Sequence, residues 1–231
     1  MSKVVFDSVS YTPPQAERPI LKDVAIELAE RRVAIVGANG GGKSTFVRMI
    51  NGLYAPSAGR VTVDGVDPQV DGKQVRRSVG FVFADADNQI IMPTVEEDVE
   101  FSLRRTVKDK KERAARAHAA LERFHLAARA TQSPHTLSGG QKQMLALASV
   151  CVMEPSLIIA DEPTTLLDLR NRLHLRDVFD ELEQTLYVVT HDLDFVSGFD
   201  RALCIDEGAI VADGEVDEVL RFYTRRMGGT A

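Results

Sequence analysis

The stretch VAIVGANGGGKST, residues 33–45, constrains this chain more than any other: a β-branched apolar run breaks into a glycine-rich turn and then into Lys43, Ser44 and Thr45. A buried strand over 33–36 is expected to deliver the chain to Gly37. Glycines at 37, 40, 41 and 42 then let backbone N–H groups converge, because a Cβ there would fill the turn or the space of a ligand. A helix opening at Lys43 aims its positive end at the same point. The pattern reads as a phosphate-binding loop: Lys43 supplies a point charge for β- and γ-phosphates, the Ser44 hydroxyl is the expected Mg²⁺ ligand, and Thr45 adds a phosphate contact. The bland reading is a glycine-rich strand-to-helix turn with an incidental lysine, and the later stretches weigh against it.

The 231 residues fit one α/β domain over 1–231 with a helical insertion at about 86–153. Hydrophobic residues at 44% and charged ones at 27% suffice for a core, so disorder is not expected. A net charge of −6 argues against nucleic acid as the principal partner, since phosphate backbones demand a basic face. Cys151 and Cys204 lie far apart in apolar stretches and read as buried reduced thiols, not as a disulfide or metal framework. The start does not read as a signal peptide, and no apolar run approaches membrane-spanning length, so service to a membrane is expected from outside the bilayer.

Residues 3–9, 22–28 and 60–65 read as strands of a small antiparallel sheet flanking the core. Tyr11 falls in the loop between the first two, either a platform for adenine or a partly buried surface tyrosine. Residues 79–83 look like a second buried strand, and Thr94 with Glu97 forms a capping box that starts a helix. The basic stretch from Arg104 on reads as helical with a solvated face, contact with anionic lipid or a membrane partner being the lesser reading, and His118 and His125 within it read as structural. Ser138 and Gln141 have capping-box spacing, yet the two glycines between them cost about 1 kcal/mol each in a helix. Such a cleared helix start suits a second anion contact.

Residues 157–160 read as a strand ending in Asp161 and Glu162. Adjacent carboxylates at a strand end point different ways, Asp161 toward a Mg²⁺ water shell and Glu162 toward a water in line with a γ-phosphate. Residues 171–184 form an amphipathic helix, and the strand 186–190 ends at His191, read as a γ-phosphate hydrogen bond because α/β folds place ligands at such ends. A hairpin over 202–205 and 209–212 and a helix over 215–226 close the chain.

Over essentially its whole length the sequence resembles an ABC-type ATPase. GANGGGKST matches the Walker A pattern, LSGGQ the family signature, LIIADE the Walker B strand with its catalytic glutamate, TLLD the D-loop ending in Asp168, and VVTHD the switch histidine. The resemblance implies a P-loop NTPase core of RecA-like α/β type with a flanking antiparallel β subdomain and an inserted helical subdomain. It implies that two copies, or this chain and a similar ATPase, sandwich two ATP molecules, with Ser138, Gly139, Gly140 and Gln141 of one facing the phosphate loop of the other. Gly37, Asn39, Gly40, Gly42, Lys43, Ser44 and Thr45 are then nucleotide-binding, Tyr11 takes the adenine-stacking position, and Glu162, His191 and Lys43 carry hydrolysis.

A narrower similarity rests on FADADNQIIMPTVEEDVEF, residues 83–101, which is like the same stretch in energy-coupling-factor importers for vitamins and transition metals. Asp87, Gln89 and the VEEDV run match, but Ala84 stands where a glutamine touching Mg²⁺ and the attacking water is expected, and Ala86 where a proline is. Gln89 is the nearest substitute ligand. GANGGGKST together with CVMEPSLIIADEPTTLLDL most resembles the ATPase subunits of bacterial biotin uptake systems. That similarity implies a peripheral ATPase on the cytoplasmic face of the membrane, partnered by integral coupling and substrate-binding subunits and never touching the cargo. The alternative is a non-transport ABC ATPase acting on a soluble partner. A GTP switch would need an Asn/Thr-Lys-x-Asp stretch, which the sequence lacks, and residues 46–136 leave no room for the coiled coil of a chromosome-type ATPase.

Overall fold

The computed structural model describes residues 1–165 and 167–228; Leu166, inside the TLLD stretch, and residues 229–231 lie outside the described residues. In chain order, β1 (Val4–Tyr11), β2 (Leu21–Leu28), β3 (Arg32–Val36), α1 (Lys43–Ile50), β4 (Ala58–Val63), α2 (Gly72–Ser78) and β5 (Val79–Val82) come first. Then come α3 (Val95–Leu103), α4 (Lys110–Arg123), α5 (Gly139–Cys151), β6 (Leu157–Asp161), α6 (Leu169–Glu181), β7 (Thr185–Val189), β8 (Arg201–Asp206), β9 (Ala209–Gly214) and α7 (Val216–Met227). They gather into two compact units, one of residues 1–79, 156–162 and Gln184 onward, the other of residues 80–155 and 163–183.

In the first unit the strands run in the order β6-β7-β3-β8-β9, parallel from β6 to β8, with β9 antiparallel on β8. Every residue of β6 and β7 is buried, and in β3 only Arg32 is not. Runs such as Leu186–Val189 suit a sheet covered on both faces, where alternation has no use. A second sheet, β2-β1-β4, is antiparallel. Phe6 of β1 stacks on Phe46 of α1 with ring centroids 4.2 Å apart, which seats this sheet on the helix that leaves the phosphate loop.

The β8–β9 turn carries Glu207 at φ 48° and Gly208 at φ 81°, the two left-handed residues of a tight hairpin. It also reaches two distant segments. The Gly208 N–H donates to the Gly41 carbonyl at 3.0 Å, and the Lys22 N–H donates to the Gly208 carbonyl at 2.8 Å. A Cβ on Gly208 would lie 2.3 Å from the carbonyl oxygen of Ile20.

The second unit opens with β5, where Gly80 lies so close to α5 that a Cβ would meet Val150 Cγ1 at 2.3 Å. Asp98 of α3, 4% exposed, accepts the N–H groups of Ile91 and Met92 at 2.9 and 3.1 Å on one oxygen and the Ser149 hydroxyl of α5 at 3.1 Å on the other. Those donors offset the desolvation of a buried carboxylate. The basic stretch after Arg104 is not one continuous helix. Buried Val107 turns back so that its N–H meets the Leu103 carbonyl at 2.9 Å, and α4 restarts at Asp109, whose side chain accepts the Glu112 N–H at 2.8 Å. His125 therefore stands beyond α4, at φ 57°, with its ring 4.9 Å from that of His174. Among the described residues no helix is long and apolar enough to cross a membrane.

Candidate active site

β3 ends at Val36 and the chain enters Gly37 at φ 143°. A Cβ there would sit 2.0 Å from the Ile205 carbonyl of β8, so the loop's first residue is held by packing as well as by backbone conformation. Replacing Gly37 by alanine is expected to lower stability by about 3 kcal/mol or more, as backbone clash and a left-handed φ combine. Urea denaturation checks it, and a wild-type midpoint would contradict it. Gly40, at φ 78°, has nothing within 4 Å of an added Cβ, so the loop opens there. Gly42, at φ 109°, begins α1 without a side-chain cap, which leaves the first N–H groups of the helix to a ligand. Asn39, Gly40, Gly42, Lys43, Ser44 and Thr45 line a cavity of about 290 Å³, with Ile20 and Glu162 completing its wall.

Lys43 is 6% exposed, and its Nζ donates to the carbonyls of Gly37 at 2.8 Å and Ala38 at 3.0 Å. Two of three ammonium protons are thus engaged, which leaves one for the cavity. Burial pushes the Lys43 pKa down, and the carboxylates of Glu162 and Asp161 work against that shift. The Gly37 carbonyl also accepts the Tyr223 hydroxyl of α7 at 3.3 Å. Ser44 Oγ donates to Asp161 Oδ1 at 2.9 Å, Arg48 Nη2 lies 3.3 Å from Asp161 Oδ2, and Asp161 is 2% exposed. A hydroxyl facing a carboxylate is a hard oxygen donor set, suited to Mg²⁺.

Glu162 continues the ladder beyond β6, its N–H donating to the Val189 carbonyl at 2.8 Å, but at φ 54°. A residue other than glycine held there costs about 1 to 2 kcal/mol, and such strain persists where surroundings enforce it. The turn swings the carboxylate so that Oε2 lies 2.8 Å from His191 Nδ1. The glutamate side chain is 16% exposed against 60% for the histidine. His191 thus meets Glu162 through Nδ1, and only Nε2 is left to offer a phosphate.

The remaining residues singled out in the sequence stand in the second unit, Tyr11 excepted. Gln141 Oε1 accepts the Ser138 N–H at 3.0 Å and Ser138 Oγ accepts the Gln141 N–H at 3.4 Å, the reciprocal box that the spacing predicts. Gly140 has a local reason to be glycine: a Cβ would lie 2.4 Å from Asn171 Cγ of α6. Asp168 caps α6 through the Asn171 N–H at 2.8 Å. Gln89 has both ends of its amide engaged, Oε1 by the Phe83 N–H at 3.2 Å and Nε2 by the Phe81 carbonyl at 3.3 Å. To bind a metal it would have to give up both. Tyr11 has one ring face covered by Tyr54, centroids 5.4 Å apart. Arg48, Ile20 and Tyr223 escape a reading of the sequence. Arg48 lies four residues after Ser44 on the same helix face, a usable signal; the other two have none.

The ABC transporter family model matches residues 21–165. The biotin transport ATP-binding protein BioM of Rhizobium etli is 41% identical over 206 residues, 89% of this chain and 92% of that one. The energy-coupling factor transporter ATP-binding protein EcfA1 of Latilactobacillus sakei is 35% identical over 225 residues, 95% of this chain and 80% of that one. Among solved structures, CbiO1 from Clostridium perfringens, part of the ABC transporter complex CbiONQ, superposes with a TM-score of 0.83 at 29% identity, covering 97% of this chain and 93% of that one.

Proposed function

The chain belongs to the ABC transporter ATPases, and from that membership we propose that it powers an importer of the energy-coupling factor type whose cargo is a vitamin, biotin ahead of a transition-metal ion. Its similarity to BioM, EcfA1 and CbiO1 supports the importer type, and the match to BioM supports biotin. The observation that carries the chemistry is Glu162, turned out of its strand at φ 54° toward His191 at the wall of the cavity that Lys43 lines.

In this reading the phosphate loop and the first turn of α1 hold the ATP phosphates, the third Lys43 proton meets the β- and γ-phosphates, and the Tyr11 ring takes the adenine. Ser44 and Asp161 would hold Mg²⁺, which when bound neutralises charge on the phosphoryl oxygens. Glu162 orients the attacking water and accepts its proton, while His191 steadies that carboxylate and offers Nε2 to the γ-phosphate. The two units act as one ATPase domain. Ser138, Gly139, Gly140 and Gln141 of a second copy, or of a similar ATPase, close the far side of the site, with Asp168 at the junction. Closure on ATP and separation after hydrolysis drive an integral coupling subunit beside a substrate-binding subunit, with this chain peripheral on the cytoplasmic face and out of contact with the cargo.

The test is capture of the tagged protein from host membranes in mild detergent, with the companions identified by mass spectrometry. A helical coupling subunit and a small membrane protein carrying biotin are expected. Companions that are all soluble would sink the transport reading in favour of an ATPase acting on a soluble partner, and a bound metal ion would correct the cargo.

A further inference from the structure

The helix after the signature cap begins on weak ground. Gly139 and Gly140 open α5, and a glycine in a helix loses backbone entropy that other residues do not. Lys142 comes directly after Gln141, a cation at the end of the helix where the dipole disfavours one. Its charge is answered by Asp87, whose two carboxylate oxygens lie 2.6 and 2.8 Å from Lys142 Nζ. The lysine side chain is 18% exposed and the aspartate 57%.

Asp87 is not on a loose tether. Asp85 accepts the Asp87 N–H at 3.0 Å on one oxygen and the Asn88 side-chain amide at 2.8 Å on the other. Gln89 clamps the backbone of Phe81 and Phe83. Residues 83–89 therefore form a braced block, and Ala84 within it has no side chain long enough to reach anything distant. The ion pair joins this block to the start of α5, inside one compact unit.

We propose that the Asp87–Lys142 ion pair is a positioning link, so that the setting of the 83–89 block determines how Ser138, Gly139, Gly140 and Gln141 are presented to the phosphates of the opposing copy. The inference rests on the reading that these four residues complete a site across a dimer. Asp87 touches no substrate and acts through Lys142.

The test uses the full chain carrying Glu162→Gln, so that bound ATP persists, and adds Asp87→Asn, Lys142→Gln and the pair of them. ATP-driven dimerisation is followed by sedimentation, the ATP affinity of the dilute monomer by equilibrium binding, and exchange of the Gln141 and Lys142 amides by hydrogen–deuterium exchange. An exposed pair is worth a factor of about three to five, and a symmetric dimer carries it twice, so each single variant should weaken dimerisation about tenfold. Monomer ATP affinity should not move and the melting temperature should fall by no more than about 3 °C, the double variant should be no worse than either single, and the two amides should exchange faster. Normal dimerisation in Asp87→Asn would overturn the link, because Lys142 would then act alone, and so would additive losses in the double variant. If the Glu162→Gln parent does not dimerise on ATP, the cross-dimer reading fails, and amide exchange in Asp87→Asn still decides whether the ion pair holds the helix start: unchanged exchange rejects it.

Discussion

Exchange of Glu162 for glutamine should cut ATP turnover by at least about a hundredfold, the low end of what a positioned general base contributes, while ATP binding survives. The substitution is nearly isosteric, so the cavity wall keeps its shape, and the backbone remains in its left-handed setting because the Val189 carbonyl still holds the residue's N–H. What changes is chemistry. An amide neither accepts the proton of an attacking water nor sustains a charged contact with His191 Nδ1 at 2.8 Å. His191→Ala should slow turnover as well, since the carboxylate loses the ring that holds it. Steady-state ATPase assays beside equilibrium ATP binding separate the two steps. A Glu162→Gln enzyme with normal turnover would remove this residue from the reaction.

The second large effect concerns Asp161, where stability and activity can be pulled apart. Alanine at this position leaves Arg48 and the Ser44 hydroxyl without the carboxylate they share. Loss of one partner of a buried pair should lower stability by about 2 to 3 kcal/mol, below the full value because Arg48 keeps some contact with water. Asparagine preserves the shape and can still accept from Ser44, but it then turns an amide NH2 toward Arg48, so its urea midpoint should fall, though by less than that of the alanine variant. Both variants should lose activity at any Mg²⁺ concentration, since the Ser44–Asp161 donor pair is gone or uncharged. Full activity of Asp161→Asn at ordinary Mg²⁺ would show that this carboxylate is not needed for metal binding.

Much of the core was legible because its signals are local and strong. The strands at 33–36, 79–83, 157–160 and 186–190 are continuous apolar runs bounded by turn residues, and they appear within a residue or so as β3, β5, β6 and β7. Two helix starts carry caps that the spacing shows, at Thr94 and Ser138, whereas the caps at Asp109 and Asp168 lie where the sequence reads as continuous helix and as a loop. What the sequence hid depends on contacts between distant segments. α2 has one buried residue, Val75, and no apolar stripe to announce it. The break between α3 and α4 arises from where Val107 docks. That Gly140 yields its space to Asn171, and that Gln89 serves its own strand's backbone, depends on side chains meeting in three dimensions. Within the site, the loop and the strand-end carboxylates were readable from spacing, whereas the pairing of Glu162 with His191 required the backbone turn at Glu162 to be seen.

The β8–β9 turn has a practical consequence. A hairpin tip of two residues invites a tag, a cleavage sequence or a fluorescent insertion, because such tips usually tolerate added chain. Here Gly208 hydrogen-bonds Gly41 and Lys22 and leaves no space beside Ile20. Added chain at this tip would tug on the phosphate loop, so the position suits a reporter of nucleotide occupancy and is a poor choice for a silent label.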